Sequence, residues 1–370
     1  MSWKSVLWCW WCLVLFWPLS GKGQENSASN TFYLSGRYLH AYAIPHRKSM
    51  RHLIQDGARA GVINFEWVTN GKRPWHQQFR NPRIGVSLYH LYLGNDEELG
   101  RSTGLYPYFQ FPVLSRKKLI LSYQIGWGIT YVSKTYERID NFQNIAIGSH
   151  FNAAIGSLAE LEIPLYDGLQ LRTGLSFIHF SNGSARKPNL GINTAGLHAG
   201  LGYRFGPAEE QPPKWEKSPP KHRYESMFAL LVGNKQVSLS DPKSYFVYTF
   251  SGELGRRYSE KAMVAIGLDA IYNTAIRPQF RSLGEEVDND LDLFQSGLTA
   301  GYHLFLGKMD INFCIGGYLR TGYKEDGFIY NRIGTRYYWN DYLVSSLTLK
   351  SHLFVADYIE LGVGYRWKTP

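Results

Sequence analysis

The sequence predicts an all-β protein: an antiparallel transmembrane β-barrel of about eight strands in the first half, then a second β-rich half. Three observations lead there. Apolar residues alternate with polar or small ones over runs of 11 to 15 residues, longer than ordinary soluble strands and at or beyond what a tilted strand needs to cross lipid. Short connections alternate with long ones, the pattern of turns on one side of a membrane and loops on the other. The 370-residue chain also combines 37 Gly with 26 Tyr, 20 Phe and 11 Trp at only 19% charged residues. That composition is too apolar and aromatic for disorder, and it suits many strands and turns better than a helical enzyme.

Residues 1–23 have the form of a secretory signal peptide, with Lys4 in a short n-region, an apolar run over 6–19, and Gly21 and Gly23 ahead of a cut before Gln24. No later apolar run approaches the ~20 residues of a spanning helix. Cys9 and Cys12 leave with the signal, so Cys314 stands alone in the mature chain and no internal disulfide forms. The net charge of +10 falls to about +8 once Lys4 and Lys22 are removed, an excess suited to anionic lipid headgroups. An exported chain without a basic cluster is not expected to bind nucleic acid.

Strands are expected at 33–44, 58–69, 83–94 and 102–113, and the alternation is clearest in the four that follow. Over 119–131 the odd positions Leu119, Leu121, Tyr123, Ile125, Trp127, Ile129 and Tyr131 face Ile120, Ser122, Gln124, Gly126, Gly128 and Thr130. Runs at 151–165, 169–177 and 195–205 repeat the pattern, with Glu160, Glu162, Arg172, His198 and Arg204 on the polar side. Period two alone also fits a soluble sandwich; length and connections decide for the barrel. Short connections at 115–118 and 166–168 alternate with long ones at 134–147 and 182–190, whereas 70–82 is too long for the turn expected there.

Residues 206–223 (GPAEEQPPKWEKSPPKHR) hold five of the 16 prolines and read as a linker between domains at 24–205 and 224–370. The first half closes with Leu201-Gly-Tyr-Arg-Phe205 and the second with Val363-Gly-Tyr-Arg-Trp367, a hint of an internal repeat. In the second half the clearest strands are 293–306, 309–320, 342–354 and 357–367. Two arrangements remain open, a second barrel or one joint barrel of about sixteen strands, and the linker favours two units.

Carrying the apolar parity outward along 169–181 places His179 and Ser181 on the lipid side, and the facing strand begins that side with Asn193. A hairpin centred on Arg186 pairs residues whose numbers sum to 372, setting Asn193 opposite His179. Residues i and i+2 on one strand lie roughly 6–7 Å apart, within reach for an imidazole to take a hydroxyl proton. The bland alternative is interfacial decoration, since a lone His-x-Ser arises often by chance. A polar triplet on an apolar face is nonetheless costly.

The run Phe177-Ile-His179-Phe-Ser181-Asn182-Gly183-Ser184-Ala-Arg186-Lys187-Pro-Asn189-Leu-Gly191-Ile-Asn193, followed by a Gly-alternating strand, resembles the signature of the outer-membrane lipid A 3-O-deacylases, the PagL family. The resemblance covers about residues 33–205 and is specific over 177–205. It implies an eight-stranded barrel in the outer membrane of a Gram-negative bacterium, with a serine esterase site on its outer wall that hydrolyses the 3-O-linked acyl chain of lipid A in lipopolysaccharide. No cofactor or metal is implied. Carried over, Ser181 is the nucleophile, His179 its general base, and Asn189 an oxyanion donor beside a backbone N–H of the turn at Gly183 and Ser184. Asn182 matches the Asn that follows the family's Ser. Arg186 and Lys187 stand where they would hold lipid A phosphates, unless they are an ordinary solvated loop tip. Asn193 departs from the family, which has a Glu there: Asn fixes a tautomer but brings no charge. That departure keeps two alternatives open, a non-catalytic porin-like or structural barrel and a phospholipase-type acyl-ester hydrolase. The second half has no such run, and nothing in the sequence indicates an oligomeric state.

Overall fold

A computed structural model describes residues 31–207, 220, 222–287, 289–353 and 355–369. The expected signal peptide and most of the expected linker lie outside these residues. Eight strands form the first closed barrel, β1 (Phe32–Ala43), β2 (Ala58–Val68), β3 (Arg83–Tyr92), β4 (Arg101–Arg116), β5 (Leu119–Val132), β6 (Phe151–Pro164), β7 (Leu169–Ser181) and β8 (Ile192–Phe205). Each is antiparallel to the next, and β8 pairs back onto β1. Closure leaves no unpaired sheet edge, the condition for strands in lipid.

A second closed barrel follows, from β9 (Tyr224–Gln236), β10 (Ser244–Ser259), β11 (Ala262–Asn273), β12 (Phe294–Leu306), β13 (Met309–Arg320), β14 (Ile329–Tyr338), β15 (Leu343–His352) and β16 (Val355–Thr369). The two ladders share no strand, so the sixteen-stranded arrangement does not occur. The repeated Gly-Tyr-Arg motifs end β8 and β16, the strands that pair back onto β1 and β9. The chain divides into two compact units: residues up to Asn182 together with Asn189 to the end of β8, and Gly183–Pro188 together with β9 to β16.

Burial alternates as the sequence requires. Along β1, Tyr33, Ser35, Arg37, Leu39 and Ala41 are buried while Leu34, Tyr38 and Tyr42 are exposed. The outward apolar face is the one a membrane covers; the inward face fills the lumen. There three arginines meet three glutamates. Arg172 grips Glu66 with two bonds of 2.6 and 3.0 Å, Arg83 meets Glu162 at 2.7 Å, and Arg37 meets Glu160 at 3.0 Å. Buried charge is tolerable only when paired in this way. Tyrosines fill the remaining space where glycine admits them. A Cβ on Gly104 would stand 2.3 Å from the Tyr89 hydroxyl, and one on Gly156 would stand 2.7 Å from the Tyr106 ring.

Two sequence expectations take a different form. The long connection between β2 and β3 carries a short helix, α1 (Pro74–Gln78), which buries His76, so it is a folded element rather than a slack turn. Strand β4 runs on to Arg116 through Pro112, where the pairing with β5 shifts register between Pro112 and Leu114. A bulge there accommodates a residue that has no N–H for the ladder.

Candidate active site

The loops at one end of the first barrel, over 44–57, 93–100, 133–150 and 182–191, are longer than the turns at 117–118 and 165–168 of the other end. The sequence-predicted triplet lies at the long-loop end. Strand β7 ends in His179-Phe180-Ser181. Phe180 points inward, stacks near Tyr89 and is fully buried, which turns both neighbours to the outward side. Pairing of β7 with β8 sets His179 opposite Asn193, the register that symmetry about Arg186 predicts.

These placements produce a continuous hydrogen-bonded chain. His179 Nε2 lies 3.0 Å from Ser181 Oγ, and His179 Nδ1 lies 2.6 Å from Asn193 Oδ1. An amide oxygen only accepts, so the ring proton resides on Nδ1 and Nε2 is left to accept from the serine hydroxyl. Ser181 is buried and His179 half-buried, so the pair is largely shielded from water. Gly191 makes room for the imidazole. Its φ of +80° lies in the left-handed region, and a Cβ there would stand 2.9 Å from His179 Cε1.

The other predicted residues separate into two groups. Asn189 and Asn182 remain with the triplet: Asn182 N–H donates to Asn189 Oδ1 at 2.9 Å, and Asn182 Nδ2 donates to Ser149 Oγ at 2.8 Å. Asn189 Nδ2 is buried and has no hydrogen-bond partner among the described residues. Gly183–Pro188 belong to the second unit. Within it, Ser184 Oγ donates to the Ala356 carbonyl at 2.9 Å, and Lys187 N–H donates to Gln236 Oε1 at 2.9 Å. Gly183 and Ser184 both take left-handed backbone, with φ of +59° and +62°. Arg186 is exposed, whereas Lys187 Nζ donates to Ser184 Oγ at 3.3 Å and burial holds its ammonium below the usual lysine range.

Residues set aside by parity are inside the lumen as expected. Glu160 and Glu162 are spent on Arg37 and Arg83, and His198 lies between Ser176 Oγ at 2.7 Å and Glu160 at 3.3 Å. One residue at the site escaped sequence reading. His46, in the loop after β1, has Nδ1 3.1 Å from Asn193 Nδ2. No spacing connects positions 46 and 193; only closure of the barrel between β8 and β1 brings them together. Asn193 also lines a small cavity formed by Ala43, Ile44, Met50, Leu53, Ile192 and other apolar side chains.

Two family descriptions match the chain, "Lipid A 3-O-deacylase (PagL)" over residues 61–208 and "Acyloxyacyl hydrolase, C-terminal domain" over residues 223–369. No curated protein matches it in sequence. Among solved structures, the outer membrane enzyme PagL is similar at 17% identity, with 45% of this chain and 97% of that one covered and a TM-score of 0.32. Neisserial surface protein A is similar at 14% identity, with 47% and 97% covered and a TM-score of 0.33.

Proposed function

The chain belongs to the lipid A 3-O-deacylase family of the outer membrane, and we propose that it acts there as a serine esterase with Ser181 as nucleophile, His179 as general base and Asn193 as the residue that fixes the imidazole. The observation that carries this reading is the unbroken chain from Ser181 Oγ through both nitrogens of His179 to Asn193 Oδ1. Its polarity is the one that nucleophilic catalysis needs.

As Ser181 Oγ attacks the ester carbonyl of a 3-O-linked acyl chain, its proton passes to His179 Nε2. The carbonyl π pair moves onto oxygen, and the buried, unpartnered Nδ2 of Asn189 is the donor available to that oxyanion. Collapse expels the sugar alkoxide, which takes the proton from Nε2, and leaves an acyl-serine. Water then attacks the acyl-serine, giving one proton to His179. Release of the fatty acid returns a proton to Ser181 Oγ. Asn193 holds the Nδ1–H tautomer throughout but supplies no charge to the imidazolium, so turnover is slower than with a carboxylate at that position. Outward placement on the wall suits a substrate whose acyl chains lie in the same leaflet.

Mass spectrometry of lipid A from a Gram-negative host expressing either the wild type or Ser181→Ala tests the reading. Loss of one ester-linked acyl chain is expected with the wild type alone. Equal deacylation by both would remove Ser181 from the chemistry. Unchanged lipid A from both, with folded protein in the outer membrane, would favour the non-catalytic barrel, and release of phospholipid acyl chains instead would favour the phospholipase.

A further inference from the structure

We propose that His46 is a positioning residue, whose imidazole holds the Asn193 amide in the single orientation that lets His179 accept a proton from Ser181. The inference rests on the Ser181–His179 reading above and explains how an amide can stand where the family's pattern has a carboxylate.

An amide has two ends of nearly the same shape and opposite hydrogen-bonding character. With Oδ1 toward His179, the ring proton sits on Nδ1 and Nε2 is a base. Turned by 180°, Nδ2–H would face Nδ1, the ring proton would move to Nε2, and the nitrogen facing Ser181 would become a donor with nothing to abstract. A carboxylate has no wrong orientation, since both its oxygens accept. Asn193 therefore needs a second partner that distinguishes its nitrogen from its oxygen. His46 Nδ1 lies 3.1 Å from Asn193 Nδ2, and with the His46 ring proton on its exposed Nε2 side this nitrogen can only accept, which makes the distinction.

Two further observations support the assignment. The loop bearing His46 is pinned to Asn193 by backbone, because Ile44 N–H donates to the Asn193 carbonyl at 2.7 Å, two residues before His46. The cavity beside Asn193 is walled by Ala43, Ile44, Met50, Leu53 and Ile192, none of whose side chains offers an acceptor. The chain is thus four residues long, from Ser181 through His179 and Asn193 to His46, with its proton order fixed from the far end.

The test uses the full-length protein in detergent micelles with defined 3-O-acylated lipid A, for the wild type, His46→Ala, His46→Asp, Asn193→Glu and the Asn193→Glu/His46→Ala double variant. Loss of one discriminating hydrogen bond lowers kcat about 10-fold or more in His46→Ala and leaves KM unchanged. His46→Asp recovers most of that loss, since both oxygens of a carboxylate accept and either selects the amide nitrogen of Asn193. In the Asn193→Glu background the effect of His46→Ala shrinks to less than about twofold, because a carboxylate needs no orienting. An equal loss in both backgrounds, or no recovery with His46→Asp, would make His46 a loop-packing residue and overturn the proposal. Nitrogen-15 NMR of the His179 ring gives a readout independent of turnover: an Nδ1–H tautomer in the wild type and a mixture in His46→Ala are expected, and an unchanged tautomer in His46→Ala would overturn the proposal. Ser181→Ala separates the two levels. Activity surviving in Ser181→Ala sinks the esterase reading itself, whereas an inactive Ser181→Ala beside a fully active His46→Ala sinks only the role of His46.

Discussion

Both barrels gather polar side chains near their long-loop ends, and they turn them in different directions. On β7 and β8 of the first, His179 and Asn193 stand on the outward side with Ser181, and the imidazole has one nitrogen on an acceptor and the other on a hydroxyl. In the second, Lys235, Lys350 and Asp357 are buried, with Asp357 bridging the two ammonium groups at 2.5 and 2.9 Å. His352 joins that cluster through Tyr318 at 3.0 Å and Asp357 at 3.7 Å. The residue types overlap, but the inward set is buried and tied up in its own ion pairs and hydrogen bonds. The outward set leaves a nucleophile beside a base.

The largest effect expected from this contrast is on catalysis. His179→Ala removes the base and should lower turnover of 3-O-acylated lipid A at least about 10³-fold. His352→Ala, at the matching end of the other barrel, should leave turnover within about twofold. A comparable loss from His352→Ala would mean that the inward cluster takes part in the reaction.

Stability should show the opposite symmetry, because both lumens depend on paired charge. Glu66→Gln takes from the buried Arg172 the carboxylate that grips it inside the first barrel, and Asp357→Asn strands Lys235 and Lys350 inside the second. Breaking a buried pair from one side costs about 3–5 kcal/mol. Hydrogen exchange read strand by strand should find the loss in β1–β8 for the first variant and in β9–β16 for the second, since the two ladders share no strand. Equal loss in both barrels from either variant would show that they unfold as one.

A subtler contrast concerns two glycines in left-handed backbone. Gly191 has φ +80° and Gly284 has φ +78°, but a Cβ on Gly191 would press on His179 Cε1 at 2.9 Å, while nothing lies within 4 Å of one on Gly284. Both alanine variants incur the left-handed strain of about 1–2 kcal/mol. Only Gly191→Ala should also displace the imidazole, lowering kcat about 10-fold beyond any loss of folded protein, as measured on the fraction with barrel-like gel migration.

These contrasts show what the sequence made legible. Parity along β6, β7 and β8 was enough to put His179, Ser181 and Asn193 on one side and Glu160, Glu162 and His198 on the other, because side chains in a strand alternate without exception until a bulge intervenes. Symmetry about Arg186 was enough for the register. The sequence-level division at the proline-rich segment favoured two units, and both barrels close separately. His46 was not legible, because its link to Asn193 depends on the last strand returning to the first. The packing of Gly183–Pro188 with the second unit was equally hidden: the run is continuous in sequence with the nucleophile, and no pattern marks where it changes company.

The smallest expected effect separates the short-turn ends. His76, buried by α1 between β2 and β3, has its pKa lowered from 6.5 to about 4, first by burial and then by the charge of Arg73. The unfolded chain therefore binds a proton at this residue across a range in which the folded chain refuses it. Stability of the first barrel should fall as pH drops from about 6.5 to about 4, by roughly 1 kcal/mol after allowance for solvent screening. The turn between β14 and β15 carries the opposite kind of group: a hydrogen bond from Lys368 and its charge hold the exposed Asp341 carboxyl below 3.8. Its contribution is intact above that value and is lost only as pH falls below it. Denaturant midpoints at pH 7 and pH 4.5 should therefore differ more for β1–β8 in the wild type than in His76→Phe, a substitution that also removes the buried, unpartnered Nδ1. If the pH dependence of the first barrel were the same with and without His76, the imidazole would be exchanging its proton freely in the folded chain, and the packing around this residue of α1 would be looser than its burial indicates.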